Sequence, residues 1–169
     1  KVARRKGELT IESSLKGEGG GGKSYVAGLL GGRPTADILF VRLADGRQLI
    51  RRVKATGAGI KLDATGERTL LGGMSFKGDA ELTNLPAGRT GQKGRATGGW
   101  TASQGGLGKP WTVTVDARGT GFASGYAELD RLLGLAPRLK GRATYQAGRF
   151  AVESAQLDGA LASARGAGA

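Results

Sequence analysis

The chain has no cysteine and no histidine among its 169 residues. That excludes disulfides, cysteine nucleophiles, the usual zinc spacings and imidazole acid–base chemistry together. Aromatic residues make up only 5% of the chain, few for a tightly filled two-sheet core. No apolar run approaches the roughly 20 residues that a membrane-spanning helix needs. Long helical patterns are also scarce.

What is abundant is glycine, with 33 residues, and positive charge, with 26 Lys and Arg giving a net charge of +12. Glycine at this level breaks helices and turns strands, which points to mostly β-structure with many short turns. The cations are spread along the chain, with "KVARRK" at residues 1–6 the nearest thing to a block. Spread charge reads as a solvated basic face, the competing reading being a polyanion partner, nucleic acid or the anionic surface of a membrane. The few aromatics are not interleaved with Lys and Arg, so no nucleic-acid partner is expected.

Alternation of apolar and polar residues marks half-buried strands, because successive side chains point to opposite faces. Leu9, Ile11 and Leu15 share a face in "ELTIESSL", as do Met74, Phe76, Ala80 and Leu82 in "MSFKGDAEL". Trp111, Val113, Val115 and Ala117 share one in "WTVTVDAR", and Ala96, Trp100 and Ala102 in "RATGGWTA". "LKGRATYQA" sets Leu139, Ala143 and Tyr145 together. "ADILFVRLADGRQLIRRV" reads as two strands joined at Asp45-Gly46, a strong hairpin signal. The reading gives nine or ten strands.

Two short helices are expected. One spans 124–134, with Ser124 as cap, Leu129, Leu132 and Leu133 as a stripe, and Gly134 as the stop. The other spans 24–30. A flexible Gly-rich loop at 17–23 precedes it. "GRQLIRRVKATG" and "GRFAVESAQLDG" (46–57 and 148–159) echo one another, with an aliphatic at the fifth position, an apolar residue at the eighth and Gly at the twelfth. Such units suggest an extended array. Residues 1–169 are expected to form one β-rich segment of a longer repetitive protein.

"GEGGGGKS" (17–24) fits the P-loop spacing G-x-x-x-x-G-K-[ST] without a mismatch. A working P-loop follows a buried parallel strand and opens a helix facing the phosphates. Here the preceding segment alternates, the following helix is short, and Asp45 belongs to a hairpin. Nucleotide binding is therefore the lesser alternative. Asp63, Asp79, Glu81, Asp116, Asp130 and Asp158 fall on polar faces or near turns and form no recognisable acid–base pair. No enzyme, metal site or cofactor is expected.

The stretches 23–38, 67–85 and 130–168 ("KSYVAGLLGGRPTADI", "ERTLLGGMSFKGDAELTNL" and "DRLLGLAPRLKGRATYQAGRFAVESAQLDGALASARGAG") resemble the TamB family of the AsmA-like envelope proteins. They share its texture of G-R-x-x-aliphatic, L-x-G and A-x-G-x-G with an occasional short helix. The resemblance implies a mainly β fold: an elongated, curved antiparallel sheet, a β-taco-like trough with one or two short helices. It implies a Gram-negative periplasmic protein whose parent is anchored in the inner membrane. It implies carriage of phospholipid acyl chains along an apolar groove between the two membranes. A TamA-like outer-membrane barrel is its implied partner, through parts outside these residues. The alternative within the family is a module that assists outer-membrane protein assembly. The groove candidates are Leu9, Ile11, Leu15, Met74, Phe76, Leu82, Trp100, Trp111, Val113 and Val115.

Overall fold

The computed structural model describes residues 1–19, 25–83 and 92–168. These form β1 (Val2–Arg5), β2 (Glu8–Lys16), α1 (Tyr25–Leu30), β3 (Thr35–Arg42), β4 (Gln48–Thr56), β5 (Ile60–Arg68) and β6 (Met74–Leu82). There follow β7 (Lys93–Gln104), β8 (Trp111–Ala123), α2 (Ala127–Leu133), β9 (Arg138–Gln146), β10 (Arg149–Asp158) and β11 (Ser163–Gly168). The strands lie in one open, curled antiparallel sheet in strict chain order. The expected mainly β, antiparallel class is what the chain adopts. Eleven strands stand where nine or ten were read. β1 is four exposed residues, and β11 is "SARGAG", so neither carries an alternation that marks a face.

The turns explain the meander. Lys6-Gly7 and Ala147-Gly148 each place two successive residues at positive φ, the backbone of the tightest hairpin loops. Asp45-Gly46 makes the β3–β4 hairpin as its sequence suggests, with the Arg47 amide donating to Asp45 Oδ1 at 3.0 Å.

The echo between 46–57 and 148–159 extends well beyond those twelve residues. The Ala58 and Gly59 amides donate to the carbonyls of Leu30 and Leu29 at the end of α1. The Ala160 and Leu161 amides donate in the same way to Leu133 and Leu132 at the end of α2. Each helix thus closes its last turn on the hairpin two strands on, satisfying carbonyls that a helix end leaves free. Glycine is required there: a Cβ on Gly57 would lie 2.7 Å from the Leu29 carbonyl oxygen, and one on Gly159 2.6 Å from that of Leu132. Gly17 and Gly119 likewise each donate to a proline carbonyl, Pro34 and Pro137, at 2.8 Å. The chain contains a structural repeat in which β2-α1-β3-β4-β5 corresponds to β8-α2-β9-β10-β11.

Two sequence readings need correction. α2 is shorter than 124–134, and Ser124 does not cap it. Tyr126 is the N-cap and makes no side-chain cap bond. Gly125 turns the chain at positive φ, and Asp130 reaches back to accept from the Ser124 hydroxyl at 2.6 Å. Of the expected leucine stripe only Leu133 is buried; Leu129 and Leu132 are exposed. Residues 20–23 of the Gly-rich loop, and Ser24 of the P-loop pattern, lie outside the described residues. Gly17 and Gly19 continue the pairing of β2 toward Pro34 and Gly32.

The sheet is tightest between β5 and β8. A Cβ on Gly98 would lie 2.7 Å from Ala117 Cα, with backbone as the obstacle. Gly98→Val is expected to destabilise the chain by about 1–3 kcal/mol through overpacking. Gly105→Ala, where nothing lies within 4 Å, should leave the urea midpoint nearly unchanged.

Candidate functional site: an uncovered apolar sheet face

Directly paired residues of an antiparallel ladder project to the same side, so the registers sort every strand residue onto one of two faces. All ten groove candidates fall on one face. Leu9, Ile11 and Leu15 stand on β2, with Ile11 opposite Phe40 of β3. Phe40 pairs with Ile50, and Ile38 with Val53, on β4. Met74, Phe76 and Leu82 stand on β6; Leu82 pairs with Ile60. Trp100 of β7 pairs with Val115 of β8, and Ala102 with Val113. The Phe76 and Trp111 rings stack at 6.0 Å although β7 runs between their strands. The β2 trio is separated from this aromatic group by β3, β4 and β5. Sequence reading missed the residues that fill the gap, among them Ile38, Phe40, Val53 and Leu62. β3 reads Ile-Leu-Phe-Val, a continuous apolar run whose inward face alternation cannot assign.

Register shifts keep this face apolar. Ile50 and Val53 are three residues apart and would point to opposite sides in a regular strand. The bulge between them on β4 returns Val53 to the side of Ile50. In β10 the shift between Val152 and Ser154 does the same for Val152 and Ala155, which pair with Ala143 and Gly141. These are the fifth and eighth positions of the sequence echo.

Nothing among the described residues covers the face. The buried hydrophobic side chains among the described residues are Leu29, Val41 and Leu133. Two belong to helices, and Val41, paired with Thr10, projects to the other side. On the apolar face Val115 is 37% exposed, Tyr145 45% and Phe150 57%; Leu15, at an end of its strand, is 54% exposed. A contiguous apolar surface of this extent marks a site of contact with something apolar.

The two ends of the face differ. One transverse row runs Arg4, Leu9, Arg42, Gln48, Arg68, Met74 through its registers. It continues through Gln104, Trp111 and Tyr145 to Phe150. The row near the helices runs Leu15, Ala36, Ala55, Leu62, Ala80 and Gly98, then Ala117, Leu139, Leu157 and Ala164. The first is basic, then amphipathic-aromatic; the second is wholly apolar.

The opposite face carries most of the charges. Arg52 pairs with Glu12, Lys54 with Asp63, Lys61 and Arg95 with Glu81, and Arg138 and Lys140 with Asp116. These exposed pairs contribute little individually. A shallow cavity of about 1270 Å³ runs across the middle of this face between rows of such side chains, including Lys77, Lys140 and Arg142. Two of its three carboxylates are ion-paired, Asp63 to Lys54 and Asp116 to Arg138 and Lys140, so it reads as a largely charge-paired polar surface. The register also sets Asp63 opposite Asp79, a juxtaposition that sequence spacing did not reveal. Among the described residues no cluster of three or more carboxylates could hold a metal ion. β2, which leads into the P-loop pattern, is antiparallel to both neighbours, and Asp45 is bonded to Arg47 at 2.8 Å in its hairpin.

Three carboxylates lie below their ordinary value of 3.8. Asp116 is held down by the Arg138 side-chain hydrogen bond, Asp130 by the Ser124 hydroxyl and amide, and Asp45 by the Arg47 amide and side chain. A depressed native pKa gives stability that is present above the unfolded value near 3.9 and lost as pH falls through the native one. The melting temperature is therefore expected to be flat above about pH 5 and to fall below about pH 4. Asp116→Asn should soften that acid decline.

No family model matches the chain, and no curated protein or solved structure is similar to it. The functional reading therefore rests on the geometry and on the sequence texture.

Proposed function

We propose that this chain is a segment of a bridge-like periplasmic carrier that moves phospholipid between the inner and outer membranes, its acyl chains lying on the apolar sheet face. The observation that carries the reading is the continuity of that face: one mainly apolar side across the eleven-stranded sheet, with no second layer over it among the described residues. At about 4.8 Å per strand the face is about 48 Å across. Burial of acyl CH₂ groups contributes roughly 0.8 kcal/mol each. Such contacts are non-directional, so a chain can slide from strand to strand without breaking specific bonds. The opposite face, charged and solvated, keeps the sheet from stacking on itself. The resemblance to the TamB family points the same way and supplies the envelope setting.

Photo-crosslinking tests this. A diazirine side chain at Ala102 or Val113 should trap phospholipid, and one at Thr112 or Thr114, on the polar side of the same strand, should not. Equal lipid adducts on both sides contradict the assignment. Polypeptide adducts at Ala102 and Val113 in place of lipid favour the assembly-module reading.

A further inference from the structure

The two ends of the apolar face are chemically unequal, and the inequality has a sign. Arg4, Arg42 and Arg68 occupy one transverse row on alternate strands, so neighbouring arginines are about 9.6 Å apart. All three are exposed, and none has a carboxylate within ion-pair distance among the described residues. On the polar face, by contrast, Glu12, Asp63, Glu81, Asp116 and Glu153 each have a cation partner. No strand carboxylate shares the apolar face: Glu12, Asp63, Asp79, Glu81 and Asp116 all project to the other side, and Glu153 bonds to Arg142 there. The same row continues into Trp111 and Tyr145, residue types with an apolar body and a polar tip that suit a boundary between oil and water.

We infer that this row is a head-group track: Arg4, Arg42 and Arg68 hold the phosphate of an anionic phospholipid while its tails run along the strands toward the apolar, helix-bearing end. The inference rests on the acyl-binding reading of the face and adds an orientation and a charge preference to it. The dimensions agree. From Arg42 to Ala36 the strand covers about 20 Å, against about 15 Å for one leaflet of a bilayer's hydrocarbon core. Guanidinium is the right group for the task, since it binds phosphate oxygens through two parallel N–H bonds. Equal spacing on alternate strands lets a head group pass from one arginine to the next as the tails slide across the sheet.

The test uses the 169-residue chain and two monomeric fluorescent probes with identical acyl chains, phosphatidylglycerol and diacylglycerol. Two triple variants remove the same charge from opposite faces: Arg4→Gln/Arg42→Gln/Arg68→Gln and Arg51→Gln/Arg118→Gln/Arg165→Gln. The first should weaken phosphatidylglycerol binding about tenfold and leave diacylglycerol binding unchanged; the second should change neither. Equal losses of phosphatidylglycerol in both variants, or no loss in the first, overturn the track and leave the acyl reading standing. An unaltered chain that binds neither probe overturns the acyl reading, and the track with it.

Discussion

The whole arrangement depends on strand register. In a ladder with a side-chain period of two, a slip of one residue moves every apolar side chain of a strand to the opposite face. Here the ten pairings deliver one apolar face from Leu9 to Ala164. The strands are not regular enough to achieve this unaided. Ile50-Arg51-Arg52-Val53 and Val152-Glu153-Ser154-Ala155 each carry apolar residues at a spacing that a straight strand would split. Bulges absorb the extra residue at both places and increase the local twist. The same bulges thus set the local twist and the side to which these apolar residues turn.

This sheet differs from a usual domain in having almost no enclosed core among the described residues. Its stability comes from neighbour-to-neighbour pairing and from small local locks. These include the two helix ends clamped on Gly57-Gly59 and Gly159-Leu161, the ring of Phe76 lying over Gly66, and the paired charges of the polar face. Each strand meets mainly the next one in sequence, a topology of local contacts that nucleates readily. It also leaves a surface that a closed sandwich would have consumed. The structural repeat uses the device twice, so each unit presents a helix, a hairpin and a bulge in the same order.

Much of this was legible in the sequence. Alternation sorted the candidates onto one side of each strand, which the registers then join into one face, and Asp45-Gly46 announced its hairpin. The echo of fifth and eighth positions is the two bulges. What stayed hidden depends on pairing between strands. Arg4, Arg42 and Arg68 are scattered over more than sixty positions, and only the register aligns them into a row. Asp63 and Asp79 meet in the same way. Ile38 and Phe40 were lost because β3 is apolar on both sides, with Leu39 and Val41 turned the other way. Ser124 looked like a cap because the pattern of a cap says nothing about a glycine turn behind it.

The central claim is that acyl chains lie on this one face, and the chain carries its own reporters. It has two tryptophans, Trp100 and Trp111, and both project from the apolar face. Phospholipid bearing a doxyl group midway along its acyl chain should quench their fluorescence and shift the emission to shorter wavelength, more strongly than the same lipid labelled on its head group. Emission that is indifferent to the acyl-chain label, with both tryptophans still open to an aqueous quencher when lipid is present, would contradict the account.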